Sequence, residues 1–337
     1  MTIAHAGNRI AVLGAGSWGT ALAIHLARLD HPVVLWAHRS EHAATLAAER
    51  CNRRYLPSAR FPDALTIEAD LVRAVSEAGV LLIAVPSHAL RELLVRLKPL
   101  VHDDARMVWA TKGLEQSSGW LPHQVVEDVL GARSVAAISG PTFAREVADG
   151  LPAAVVVASD DALLAREVAG LFHDGRFRAY TSPDLIGVEV GGAVKNVLAI
   201  ATGAADGLRF GANSRAALIT RGLAEVTRLG MALGGQASTF MGLAGVGDLV
   251  LTCTDDQSRN RRMGLALARG LSVAEAQREI GQVVEGVQAA SAVWTLARRE
   301  GVRMPITEQV YRILHEGISP QEAVAILTRG PAKPEFA

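Results

Sequence analysis

The chain has 337 residues, 50% of them hydrophobic and 20% charged, with 34 Lys plus Arg balanced by 34 Asp plus Glu. That size gives about two globular domains with sizeable cores, and the absent basic excess argues against nucleic acid or an anionic membrane, leaving small molecules as the expected partners. Cys51 and Cys253 lie far apart with no CxxC pair, so neither a disulfide framework nor a metal site is expected, and a reducing cytoplasm fits.

The opening MTIAHAGNR has no apolar run, and Val80–His88 is too short to span a bilayer, so no targeting segment or integral membrane association is expected. No internal repeat is found, and the proline-containing tail from Gly330 to Ala337 should fray.

Arg9 to Leu13 reads as a short apolar strand running into GAGSWG, Gly14 to Gly19, and then into the helical pattern Thr20 to Leu29. Gly14 suits the tight turn, Gly16 a close approach of backbone to a pyrophosphate, and Gly19 close helix packing, while the helix N-terminus adds amides and a positive dipole end. With a second strand at Pro32 to Trp36 the layout is that of a dinucleotide site. No Asp or Glu follows that strand immediately; His38 and Arg39 do. A guanidinium there suits the 2'-phosphate of NADP, which is favoured over NAD, although a solvated surface arginine is the plain alternative.

Asn52 to Leu71 reads as a loop leading into a short strand, and Gly79 to Ser87 as a buried strand of an open parallel sheet. Met107 to Ala110 delivers Lys112 past the ligand edge of that sheet. A helix at about Leu121 to Leu130 precedes the strand Val135 to Ser139, which empties into GPTFAREV, where Gly140, Thr142 and Ala144 can face a ligand. Strands at Pro152 to Ala158 and Phe177 to Thr181 complete the α/β half.

From Ser182 the periodicity becomes helical. Ser182, Pro183 and Asp184 read as cap, first turn and favourable charge of a core helix. Steps of three and four residues place Gly191, Lys195, Ala199 and Asp206 on one face, with Gly192, Asn196 and Gly203 alongside. Each interior glycine costs a helix about 1 kcal/mol against alanine, so something must approach that backbone closely. A ligand at Lys195 is one reading, and a tight helix pair with Lys195 reaching out to water is the other.

FMGLAGVGDLVLTCTDD sets glycines around Asp248 and reads as a loop. Ser258 can cap a helix beginning at Arg259, where Arg259, Asn260 and the first amides form either an anion site or a surface turn paired with Asp255 and Asp256. Glu285 in GQVVEG suits a ribose hydroxyl or a helix cap.

Taken in order, GAGSWGTALA, ATKGLE, SGPTFAREVA, GGAVKNVLAIATG, GLAGVGDLVLTCT, SRNRRMG and VVEG make the chain resemble the soluble NAD(P)-dependent glycerol-3-phosphate dehydrogenases over nearly its whole length. The resemblance implies a Rossmann-type dinucleotide-binding domain, residues 1–182, and a C-terminal helical substrate domain, residues 183–337. It implies reduction of dihydroxyacetone phosphate to sn-glycerol 3-phosphate, supplying phospholipid synthesis, with Lys195 as acid/base. Lys112, Gly140, Thr142, Asp248, Ser258, Arg259 and Asn260 then surround the substrate. The resemblance also implies cofactor contacts at Ser17, Trp18, His38, Arg39, Tyr55, Lys112, Ala144, Arg259, Val283 and Glu285. A hydroxy-acid or sugar-acid dehydrogenase on the same plan is the alternative enzyme, a non-catalytic NADP sensor the alternative of another class, and a homodimer the commonest assembly.

Overall fold

A computed structural model describes residues 9–329; the tail expected to fray lies outside the described residues. Among the described residues there are ten strands: β1 (Arg9–Leu13), β2 (Val33–Trp36), β3 (Cys51–Asn52), β4 (Leu56–Arg60), β5 (Leu65–Glu68), β6 (Ala78–Ile83), β7 (Arg106–Trp109), β8 (Val135–Ser139), β9 (Ala153–Ala158) and β10 (Phe177–Ser182). Eight of them form one sheet in the order β10-β9-β8-β7-β6-β1-β2-β5. β1 is an interior strand, parallel to β2 and β6 on either side. Its residues alternate between two cores, Ile10 and Val12 on one face and Ala11 and Leu13 on the other, as the two-residue period of a doubly covered strand requires.

The sheet is not parallel throughout. β9 runs antiparallel to β8, and β10 is parallel to β9. The reason is the connection after β8, which holds only the five-residue helix Ala144–Ala148. At about 1.5 Å per residue that helix cannot carry the chain back along a strand rising about 3.3 Å per residue. The expected loop after Asn52 contains instead the small antiparallel hairpin of β3 and β4.

Beyond Ser182 the described residues form helices only, around the central helix Leu185–Gly207. It is the one helix among the described residues long and apolar enough to cross a membrane, and 83% of that apolar window is buried inside the fold. Its cap is Asp184 rather than Ser182. The Asp184 carboxylate accepts from the Gly187 N–H at 2.8 Å, the Gln236 N–H at 2.8 Å and the Thr239 hydroxyl at 2.6 Å. A carboxylate with three donors outcompetes the serine hydroxyl and also ties down the Ala237–Phe240 turn.

The central helix's glycines admit neighbouring backbone. A Cβ on Gly203 would lie 2.1 Å from the Arg261 carbonyl oxygen, one on Gly264 2.1 Å from that of Ile200, and one on Gly191 2.4 Å from that of Ala244. The helix Arg259–Ala268 therefore lies directly against the backbone of the central helix. The stretch read as a loop around Asp248 is also helical: a π-helical turn, Leu243–Gly247, runs into the helix Asp248–Thr254. Its glycines permit close packing, since a Cβ on Gly245 would meet the Phe240 carbonyl oxygen at 2.1 Å.

Candidate active site

A cleft of about 400 Å³ lies between the sheet's ligand edge and the helical half. At one end the three glycines of GAGSWG have separate tasks. Gly14 has φ +124°, and a Cβ there would sit 2.7 Å from the Ala84 carbonyl oxygen; a Cβ on Gly19 would lie 2.0 Å from that of Gly14. Gly16 has nothing within 4 Å of an added Cβ and faces the cleft. The helix that follows has no acidic first turn and no side-chain cap, so its free amides remain for an anion. Asn52 steadies the loop, donating to the Ala15 carbonyl at 3.1 Å and the Thr20 hydroxyl at 2.8 Å. The Trp18 indole N–H is buried without a partner. An open backbone cradle at a helix start, beside an unspent donor, fits a dinucleotide pyrophosphate.

At the centre, Asp248 holds two lysines. It is completely buried and Lys195 is 7% exposed. Lys195 donates to Asp248 Oδ1 and to Thr252 Oγ1 at 3.1 Å. Lys112 donates to Asp248 Oδ2 at 2.8 Å and to the Gly140 carbonyl at 3.2 Å. Burial pushes the Lys195 ammonium down to about 8; Asp248 opposes the shift and the Lys112 charge adds to it. Burial alone would raise the Asp248 carboxyl, but the ammoniums of Lys112 and Lys195 hold it below the usual carboxylate range. Lys195 is thus neither exposed nor idle, and its proton is held in the range where transfer is easy.

At the other end Ser258 caps its helix, accepting from the Arg261 N–H at 3.2 Å. The nearby acids are engaged elsewhere: Asp256 pairs with Arg261 at 2.9 Å, and Asp255 accepts from the Gln257 N–H at 2.7 Å. Arg259 faces the cleft. Burial pulls its guanidinium down, opposed by the Glu285 charge, and burial pushes the Glu285 carboxyl up, opposed by Arg259. Glu285 is the first residue of its helix, whose cap position is Val284, and it accepts from the Ser87 hydroxyl at 3.5 Å. Asn260 donates to Asn196 Oδ1 at 2.9 Å and accepts from the Gly286 N–H at 2.9 Å, joining three helices beneath the cleft.

Of the residues singled out in the sequence, Gly16, Ser17, Trp18, Tyr55, Lys112 and Thr142 line the cleft from the sheet side, joined by Ala144; Lys195, Ser258, Arg259, Asn260, Val283 and Glu285 do so from the helical side. Gly14, Gly19, Gly140 and Asp248 sit behind the wall and shape it. His38 and Arg39 are exposed beyond the end of β2. Asn196 and Thr252 also line the cleft but were not read as site residues. Thr252 stands one helical turn from Asp248, a spacing hidden by reading that stretch as a loop.

Two family models, described as the N-terminus and C-terminus of NAD-dependent glycerol-3-phosphate dehydrogenase, match residues 9–165 and 184–325. The chain belongs to this family. Glycerol-3-phosphate dehydrogenase [NAD(P)+] of Edwardsiella ictaluri is 58% identical over 308 residues, covering 91% of both chains. A crystal structure of glycerol-3-phosphate dehydrogenase from Coxiella burnetii superposes with a TM-score of 0.93 at 50% identity, covering 96% of this chain and 99% of that one. A probable 2-dehydropantoate 2-reductase from Bacillus subtilis, at 15% identity and a TM-score of 0.59, covers 91% of this chain and 99% of its own. That last likeness extends to the fold alone, so the family matches favour glycerol-3-phosphate dehydrogenase over a hydroxy-acid enzyme of the same plan.

Proposed function

We propose that this dehydrogenase reduces dihydroxyacetone phosphate to sn-glycerol 3-phosphate in the cleft between a dinucleotide-binding domain, residues 1–182, and a helical substrate domain, residues 183–337. The observation that carries the reading is the Lys112–Asp248–Lys195 cluster, centred on the buried Asp248 and Lys195, beside an anion-suited helix start at Ser258. A bound NADPH or NADH supplies the hydride for the ketone carbon. Lys195 gives its proton to the carbonyl oxygen as negative charge develops there, and Lys112 stabilises the same charge. Asp248 holds both ammoniums in place without entering the cleft. Arg259, with the Ser258 and Asn260 end of its helix, takes the phosphate, a dianion suited to a guanidinium beside free amides. Gly140 offers its carbonyl to Lys112, and Thr142 stands at the same rim.

Gly14–Gly19 would hold the cofactor's pyrophosphate, Tyr55, His38 and Arg39 would hold its adenosine end, with NADP preferred to NAD, and Ala144, Val283 and Glu285 would contact the rest. Two buried free thiols suit a reducing cytoplasm, and a homodimer is the commonest closed assembly. Oxidation of each reduced nicotinamide cofactor with dihydroxyacetone phosphate, against unphosphorylated dihydroxyacetone, tests the reading. Equal use of both ketones would remove the phosphate site.

A further inference from the structure

The rim of the cleft beyond β2 carries cations that the site as described leaves unexplained. Four arginines occur between residues 50 and 60, and three are engaged. Arg50 donates to the carbonyls of Leu65 at 2.7 Å and Pro62 at 2.6 Å. Arg53 pairs with Glu49 at 2.9 Å, and Arg60 donates to the Glu49 carbonyl at 3.1 Å. Arg54 has no carboxylate or carbonyl partner among the described residues. Its guanidinium lies 5.4 Å from the centre of the Tyr55 ring, and Tyr55 lines the cleft.

His42 locates Arg54 relative to the other cations. The His42 ring stands edge-on to Tyr55 with centroids 6.3 Å apart, and its Nε2 is 3.4 Å from the carbonyl oxygen of Ala15, within the glycine loop. Burial is the main cause that lowers the His42 pKa, and the charges of Arg39, Arg54 and His38 act on it in the same direction. The charges of Arg39 and Arg54 therefore both bear on one ring beside the glycine loop. Neither has an ion-pair partner among the described residues. Like charges without counter-ions repel, and a bound polyanion relieves that cost.

We propose that Arg54 is a second reader of the adenosine 2'-phosphate, acting together with Arg39 and setting the preference for NADPH over NADH. The proposal rests on the cleft being the NAD(P) site. Tyr55 presents the planar guanidinium by stacking, so the role asks for arginine rather than any cation. The 2'-phosphate is the one group that distinguishes the two cofactors, so the contribution of Arg54 is confined to that difference.

The test is calorimetry on the full-length protein with 2',5'-ADP, 5'-AMP, NADPH and NADH, for the parent and for Arg54→Gln, Arg54→Lys and Arg39→Gln. Arg54→Gln is expected to weaken 2',5'-ADP and NADPH roughly tenfold, as for one lost charge-assisted hydrogen bond, while 5'-AMP and NADH stay within about twofold. Arg54→Lys should recover part of the loss, and the fall of NADPH affinity with salt should be shallower in Arg54→Gln. Equal losses for both dinucleotides, or none for either, would overturn the role of Arg54. If Arg39→Gln discriminates and Arg54→Gln does not, the cofactor site stands and this proposal falls. A parent that binds neither dinucleotide would remove both.

Discussion

Lys112 and Lys195 are held by opposite oxygens of one carboxylate, that of the fully buried Asp248. The arrangement keeps two ammoniums near each other by placing one carboxylate between them, leaving the cluster one positive charge in excess. It also gives each lysine a fixed direction, which a flexible four-carbon stem does not have by itself.

Lys195→Met should lower kcat by roughly 10² to 10⁴, the range for loss of a general acid, with the cofactor bound as before. Methionine preserves the packed stem, and Asp248 keeps Lys112 as its counter-ion, so the melting temperature should fall only modestly. Steady-state kinetics beside a fluorescence titration with NADPH checks this. A variant with more than about a tenth of the parental kcat would return Lys195 to a structural role.

The second prediction concerns pH. Reduction needs Lys195 protonated, so its rate should fall as pH rises through about 8, while the reverse oxidation should rise over the same interval. Asp248 opposes the downward shift of Lys195, so Asp248→Asn should move the alkaline limb of the reduction to lower pH. It should also destabilise the fold by about 3 kcal/mol or more, because the buried Lys195 and the half-buried Lys112 lose their counter-charge. An unmoved limb in the pH profile of kcat would show that another group titrates there.

The three glycines of the cofactor loop should separate in a paired experiment. Gly16→Ala has open space around the new methyl, so it should melt like the parent but bind NADPH at least about tenfold more weakly, a change of 1.4 kcal/mol. Gly14→Ala and Gly19→Ala meet backbone at 2.7 and 2.0 Å and should lose about 1–3 kcal/mol of stability before any cofactor is added. Thermal melts without ligand, followed by titration, distinguish the two outcomes.

Arg259→Ala should raise the KM for dihydroxyacetone phosphate roughly 10- to 100-fold, the range for hydrogen bonds to a charged group. Inorganic phosphate should compete with the substrate less well in the variant than in the parent. Glu285 loses the opposing charge that restrains its raised pKa, so some loss of cofactor affinity is also expected. Unchanged phosphate inhibition would place the anion elsewhere in the cleft.

The glycine loop, the succession of strands and the start of the Arg259 helix were legible in sequence because each is local: a φ requirement, a two-residue period, a capping serine. The turn of the sheet at β9 was not, since it depends on how far a five-residue helix can carry the chain. Asp248 was found as a residue but placed on a loop. Its glycine neighbours signalled flexibility, whereas in the fold they admit the backbone of Phe240. The helix cap moved from Ser182 to Asp184 because donors from Gln236 and Thr239, remote in sequence, converge there. Asn196, noted beside Lys195, and Thr252 were not read as site residues for a related reason, since their partners lie on other helices or depend on a helix not foreseen.

The contact of Gly203 and Gly264 with the opposing carbonyls of Arg261 and Ile200 sets the span between Lys195 and Arg259, the proposed proton donor and phosphate anchor, by main chain alone. Side chains around the two helices can drift over evolutionary time without altering that span. A single methyl at either glycine would instead wedge the helices apart and lengthen the gauge that a substrate must match. Gly203→Ala or Gly264→Ala, residues that touch no ligand, would then favour a phosphorylated ketone one carbon longer over the three-carbon substrate.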